Sequence, residues 1–521
     1  MREATGPLTS PERNRRESAM LIDFRPHARL RGKNPVDFGS AVTPALDVLA
    51  ASQEDLSRVR VVCDWVQYRE NFRDVVDVRP VLPCPGPAGT EGAPPHMAGV
   101  PGWDMEIAVD VRRSGGVALR DLMAAQLARQ PAAPGRPGQR VYLEDWGPGS
   151  RSCIWDFNAL YWSALELWEK ASGRGYEQAL PSGESDARNR GAARELIGEL
   201  FAVWDQLALV GALPEELYVA ELGVGNGSQA KVFLDEFHKL DSARAPGYYR
   251  RLHYLMCDYS PYVLDRAREA VAAHAGHVSS VSLDATRPAT SLGFLQGKVF
   301  LLYISNVYDN LPTDEVAQLG GQPYHVQTRA YFPPGAAAEL GASVSAEPAQ
   351  LPGLTRRLLR LGPALLPDAA PGHVGDVDAG VRFWQQAWSA LRLEERYVPL
   401  AGLDLYSLAP SASGEELRPL LESGADIRMH VSNGAVASFT DSLPLLHPFG
   451  KLVCHDLFVT GVQDYRVSFR GPGKYDGSVV NWVNGPLLAH VGRRRGFDVQ
   501  YAPFRHRSGG NIVTMTAQRG D

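Results

Sequence analysis

Four short apolar runs, Leu217–Leu222 (LYVAEL), Leu252–Cys257 (LHYLMC), Val278–Leu283 (VSSVSL) and Val299–Ile304 (VFLLYI), alternate with helix-patterned segments and constrain the fold more than any other feature. Short apolar runs of this kind read as strands covered on both faces, and an intervening helix returns the chain so that successive strands lie parallel. Helices are predicted from about Gln229 to Leu240 and from Pro261 to His274. The alternation resumes at Lys451–Leu457 (KLVCHDL), followed by a helix over Gly485–Arg495. Phe497–Tyr501 and Asn511–Ala517 then read as a closing antiparallel hairpin. The expected architecture is α/β, a doubly wound, mostly parallel seven-stranded sheet with a terminal antiparallel hairpin.

A chain of 521 residues exceeds one ordinary core, so further regions are expected. Residues 1–20 are polar and are expected to be mobile. Residues 21–140 form an N-terminal accessory region with strands at Val59–Cys63 and Met105–Val111, interrupted by proline- and glycine-rich loops. The sheet domain is split into 150–312 and 440–521, and its first part opens with helices over Ile154–Lys170 and Ala192–Leu209. Between the parts, 313–430 reads as loops and helices rather than sheet, an insertion placed to act as an acceptor-binding lid.

The formal charge of −6 argues against broad nucleic-acid binding. Five scattered cysteines without a CxxC pair point to a reducing compartment and to neither a disulfide framework nor a zinc site. The first twenty residues lack an apolar signal core, and no run of about 18 apolar residues occurs. A cytoplasmic protein without a membrane partner is expected. The thirteen histidines show no HExxH or HxxxH spacing, and no metal is expected.

The first of the four runs ends in ELGVGNGSQAKVF. Gly223, Gly225 and Gly227 let backbone approach a ligand closely, and the helix that follows aims its free N–H groups at the same spot. A dinucleotide fingerprint needs G-x-G-x-x-G, but Ser228 stands where its third glycine belongs. Glu221 precedes the loop; a pyrophosphate gains nothing from a carboxylate there, whereas a cationic amino-acid end is attracted to it. That favours S-adenosylmethionine over a nicotinamide cofactor. Asp258, after the second strand, can accept both ribose hydroxyls, with the insert DSARAPGYYRR accounting for its unusual distance from the loop. Asp284, closing the third strand, is placed to meet an adenine amino group, and Asn306, after the fourth, to meet the ligand's reactive end.

Together these residues and the terminal hairpin resemble the class I S-adenosylmethionine-dependent methyltransferases. Three further stretches resemble the MidA-type branch, which includes mitochondrial protein-arginine methyltransferases that assist complex I assembly. SNVYDNLP (Ser305–Pro312) is similar to that branch's Ser-Asn-Glu-Phe-Phe-Asp-Ala-Leu-Pro. GKLVCHDLF (Gly450–Phe458) is similar to its Gly-x-Leu-Leu-x-Ile-Asp-Tyr-Gly, with Asp456 at the acid. GPGKYDGSVVNWVNGPLLAHV (Gly471–Val491) is similar to its Pro-Gly-x-x-Asp segment, with Asp476 at the acid. The first stretch is one residue shorter and lacks the Glu, and Leu457-Phe458 replaces Tyr-Gly. The resemblance spans roughly 150–330 and 440–517, and implies shared architecture more than a shared substrate.

Methyl transfer needs an aligned nucleophile and a route for its proton. Asp309 can orient a guanidinium or accept a proton; capping a helix is its plainer role. Tyr308 can shape an acceptor pocket or simply pack. His455 or Asp456 can act beside the same edge, and strand alternation lets only one of them face it. The expected activity is methyl transfer to a protein side chain or to a nitrogen or oxygen of a small molecule. The alternatives are a non-catalytic assembly factor on a methyltransferase scaffold and a nicotinamide-dependent oxidoreductase.

Overall fold

The computed structural model describes residues 21–25, 38–51, 58–83, 104–115, 117–127, 139–175, 190–422, 425–466, 469–506 and 510–520. The polar opening segment 1–20 and most of the two proline- and glycine-rich stretches lie outside the described residues.

Strands β1 (Leu21–Arg25), β2 (Val59–Asp64), β3 (Val76–Pro80) and β4 (Met105–Asp110) form one sheet in the order β1-β2-β4-β3, with β3 antiparallel to β4. Val61, Ile107 and Val109 pack there with Leu49 and Met123 of the helices Phe38–Ala51 and Leu119–Leu127.

The four apolar runs become β5 (Leu217–Leu222), β6 (Leu252–Asp258), β7 (Val278–Ser282) and β8 (Val299–Ser305). The 313–430 segment departs from expectation. It contains β9 (Glu315–Leu319), β10 (Gln322–Phe332), β11 (Arg392–Pro399) and β12 (Ile427–His430), an antiparallel sheet in the order β11-β10-β9-β12. Charge hid these strands: RLEERYVP reads as polar, yet Glu394 and Glu395 are buried and paired with arginines.

The chain returns to the large sheet with β13 (Leu446–Asp456), β14 (Phe497–Pro503) and β15 (Val513–Arg519). Its seven strands run β14-β15-β13-β8-β5-β6-β7, and only β15 is reversed. Alternate side chains feed two apolar layers. Val219, Tyr254, Leu301 and Val453 meet Trp204, Phe233 and Leu264 from helices Arg190–Leu209, Ser228–Arg244 and Pro261–Ala270. On the opposite face Ala220, Cys257, Ile304 and Cys454 meet Val436, Phe439, Leu487 and Val491 from helices Asn433–Ser442 and Gly485–Arg494. Each large buried side chain of this kind contributes about 1.5–3 kcal/mol.

The helix expected over Ile154–Lys170 is two, Ile154–Ser163 and Leu165–Ser172, broken at Ala164. Both pack with helices Leu351–Ala369 and Val377–Ala390 around Trp384 and Trp388.

A buried ion network joins the N-terminal sheet to the inserted one. Arg79 contacts Asp77 at 2.9 Å, Glu106 at 2.5 Å and Glu395 at 2.7 Å, and Arg428 bridges Glu315 and Glu395. Desolvation cancels much of the attraction in such networks, so this one adds little net stability, whereas removing one partner would leave a buried charge uncompensated.

Candidate active site

From β5 the chain steps outward to β6 and β7, then returns to β8 on the other side of β5. The crevice beyond the carboxyl ends of β5 and β8 is therefore a topological switch point, where open α/β sheets bind ligands. Two loops flank it: the glycine loop after β5 and residues 306–310 after β8.

Gly223, Gly225 and Gly227 all have positive φ, 74°, 55° and 76°. Gly223 and Val224 donate their N–H groups to the Cys257 carbonyl, tying the loop to β6. A Cβ on Gly223 would fall 2.3 Å from Val307 Cγ2, and one on Gly227 2.7 Å from Ala267 Cα. The glycine loop thus touches the loop after β8 on one side and the helix after β6 on the other. No side chain larger than hydrogen fits either contact.

Glu221 lies beneath this loop, 2% exposed, and accepts a hydrogen bond of 2.7 Å from Tyr254 Oη. Burial pushes its carboxyl up to about 8. Asp258 accepts from the backbone of Gly225, Tyr259 and Ser260; burial raises it to about 6 against the pull of those donors. A carboxylate offers about four acceptor positions, so the three donors leave one free. Asp284 is exposed, its Oδ1 held by the Thr286 N–H and hydroxyl at 2.8 and 2.7 Å.

Asn306 is left-handed (φ 51°), a conformation Asn tolerates better than most residues, and its N–H donates to the His455 carbonyl. Beyond it the chain wraps around Asp456, which is 0% exposed. Asp456 Oδ2 accepts the N–H groups of Val307 (3.1 Å), Tyr308 (2.8 Å) and Asp309 (3.3 Å), and Oδ1 accepts that of Leu457 (2.7 Å). These donors favour its charged form, but burial is stronger and raises it to about 6. Asp309, also buried, is pushed well above the carboxylate range by desolvation first and by the Asp456 charge second, and hydrogen-bonds to Asp456. Asn310 Nδ2 donates to Asp309 Oδ1, and Asn158 and Trp162 hold Asn310 from helix Ile154–Ser163.

The remaining predicted residues lie apart from this pair. His455 points to the opposite face of β13, where Nδ1 meets Thr514 Oγ1 at 2.9 Å and the ring packs on Phe504; burial lowers it to about 4. Tyr308 is 2% exposed within the apolar layer under the sheet, the packing role rather than a pocket wall. Asp476 turns the hairpin between Gly473–Tyr475 and Ser478–Val480, and its carboxylate takes Tyr161 Oη, Trp168 Nε1 and Arg174.

The structure also brings two residues to this edge that the sequence did not single out. Tyr68 follows β2, and burial and the charges of Asp309 and Asp456 raise its hydroxyl well above the ordinary value. Arg470 is half-buried and stacks 4.4 Å from the Trp482 ring centroid. VQYRENF and FRGPG contain no spacing that would have marked either one.

No protein-family model and no curated protein matches this chain. Solved structures overlap it partially. One is a COG1565 superfamily member and candidate methyl transferase from Burkholderia thailandensis bound to S-adenosyl-homocysteine, 14% identical at a TM-score of 0.42, covering 72% of this chain and 88% of that one. Another is the DszA carbon methyltransferase, 12% identical at a TM-score of 0.31, covering 71% and 67%. A third is the 1,6-didemethyltoxoflavin-N1-methyltransferase of the same Burkholderia species, 12% identical at a TM-score of 0.30, covering 74% and 100%.

Proposed function

We propose that this chain is an S-adenosylmethionine-dependent methyltransferase acting on a nitrogen or oxygen of a small molecule or protein side chain. The observation that carries this is the contact of Gly223 with Val307 at the switch point, which sets the glycine loop beside the Asp309–Asp456 pair. The residues present fit the cofactor. Three left-handed glycines leave open backbone, Asp258 retains an acceptor position for a ribose hydroxyl, and Asp284 is exposed, with Arg287 3.9 Å from its Oδ2. Glu221 sets a carboxyl under the loop that an ammonium would draw into its charged form.

When bound, the cofactor supplies an electrophilic methyl carbon. This chain's part is alignment and proton transfer. Asp456 spends its lone pairs on four backbone N–H groups, so it positions the 306–310 loop. Asp309 is the group left to meet the acceptor. Burial raises both carboxyls, so Asp309 in its ionised form is a strong enough base to take the acceptor's proton.

Ultraviolet cross-linking of methyl-labelled S-adenosylmethionine, read by peptide mass spectrometry, tests the assignment. Label is expected on peptides containing 221–227 or 305–310, with competition by S-adenosylhomocysteine but not by NADH. Label elsewhere, or competition by NADH alone, contradicts it.

A further inference from the structure

Next to the Asp309–Asp456 pair lies a set of buried polar groups that the methyl-transfer chemistry does not use. The segment after β2 crosses the 469–474 segment: Gln67 N–H donates to the Phe469 carbonyl at 3.2 Å, Lys474 N–H to Glu70 at 2.9 Å, and Asn71 bridges Gly473. Gly473 allows this approach, since a Cβ there would fall 2.4 Å from Tyr68 Cγ. Tyr68 Oη is thereby buried in electrostatic reach of Asp309, Asp456 and Arg470. Arg470 in turn acts on Tyr465, and its main chain lies beside His430. A cavity of about 10 Å³, the space of a single water, opens among His430, Tyr465, Phe469, Arg470 and Gly471, with Glu315 on its wall ion-paired to Arg428.

Among the described residues, Tyr68 Oη, Tyr465 Oη, Arg470 Nε and Trp482 Nε1 are buried donors here without a hydrogen-bond partner, and the two ring nitrogens of His430, one donor and one acceptor when neutral, are likewise without a side-chain partner. Trp482 stacks under Arg470, and its neighbour Val483 donates to the Leu457 carbonyl, one residue beyond Asp456. Arginine and tryptophan side chains donate only, and a tyrosine hydroxyl donates readily. Leaving a buried donor unpaired costs about 1–3 kcal/mol. A site made of donors around a guanidinium is complementary to a group made of acceptors, and a carboxylate is such a group.

We propose that Tyr68, Tyr465, Arg470 and Trp482 form the acceptor subsite and bind the carboxylate of a small organic acid, presenting its nucleophilic nitrogen or oxygen to Asp309. This rests on the methyl-transfer reading and narrows it to acidic small-molecule acceptors. It also gives the N-terminal region a part in the site, because Tyr68 comes from that region. The cavity is smaller than a carboxylate, so the side chains around it must shift to admit the acid while Arg470 stays in reach of it.

Phenylglyoxal labelling of Arg470 in the full chain, read by peptide mass spectrometry with S-adenosylhomocysteine present, tests the subsite. Benzoate at about 10 mM is expected to slow labelling at least about fivefold, and benzamide to leave it unchanged. Tyr68→Phe and Tyr465→Phe should each weaken that protection several-fold while the affinity for S-adenosylhomocysteine stays as in the wild type. Equal protection by benzamide overturns the proposal, as does no protection by benzoate while S-adenosylhomocysteine still binds. Protection by benzoate in a protein that fails to bind S-adenosylhomocysteine would leave an anion site but overturn its role as acceptor subsite.

Discussion

The carboxyl of Asp309 lies against that of Asp456, and burial raises both above the ordinary carboxylate range. The two come from different strand ends, β8 and β13, which run side by side with Ser305 opposite His455. Their closeness is thus fixed by sheet register. It divides the labour: Asp456 holds the loop, and Asp309 is held by it.

That division predicts opposite consequences for two similar substitutions. Asp309→Asn keeps a hydrogen-bond donor beside Asp456, so thermal melting should show near wild-type stability while methyl transfer falls about 100- to 10,000-fold. Asp456→Asn weakens four backbone hydrogen bonds to a buried anion and should cost about 2 kcal/mol in denaturant unfolding. A reversed pattern would remove Asp309 from the reaction.

Gly223→Ala should strain the site locally. Its φ of 74° disfavours any Cβ by about 1–2 kcal/mol, and the new methyl would meet Val307 Cγ2. Calorimetry should show weaker binding of S-adenosylhomocysteine. Adding Val307→Ala should restore part of it, because the steric term goes while the backbone term stays. No recovery in the double variant would mean that Val307 does not set the gap between the loops.

Glu221 predicts a pH dependence of the ligand-free protein. Its folded-state value of about 8 exceeds the ordinary 4.5, so the folded state binds the proton more tightly than the unfolded state does. Its stabilising effect is complete below about 4.5 and is lost as pH rises toward 8. His455 and His430, lowered to about 4 and about 3 from 6.5, act in the other direction, destabilising the fold as pH falls below 6.5. Between pH 6.5 and 8 the melting temperature should therefore fall in the wild type. Glu221→Gln, which keeps the Tyr254 hydrogen bond, should flatten that slope; an unchanged slope would show that the carboxyl is already ionised.

Asp476 should matter to the fold and not to the ligand. Asp476→Ala removes the acceptor of Trp168 Nε1 and of a Tyr161 Oη hydrogen bond and should cost about 1–3 kcal/mol by denaturant unfolding. Affinity for S-adenosylhomocysteine should be unaffected. A large loss of affinity would instead place Asp476 beside the ligand.

The large sheet was legible because its central strands are buried on both faces, so LYVAEL and VFLLYI stand out as continuous apolar runs. Strand β13 was placed too late, at Lys451, because His447, Pro448 and Gly450 break its pattern where its pairing with β8 shifts register near Val299. The inserted sheet was missed for a different reason. Arg428, Glu315 and Glu395 satisfy one another across strands in the interior, and one-dimensional patterning reads such residues as solvated surface. In the candidate site, residues within a few positions of a strand end could be found from spacing. Tyr68 could not: it is 241 positions from Asp309 and comes into its electrostatic reach because the 64–73 segment pairs with 469–474.

Isothermal titration of S-adenosylhomocysteine into the full chain tests the central claim most directly, with NADH as the control ligand and Asp258→Asn as the control protein. The account predicts one site of micromolar affinity in the wild type, at least about tenfold weaker in Asp258→Asn, and no heat from NADH. No binding of S-adenosylhomocysteine to the wild type would contradict it.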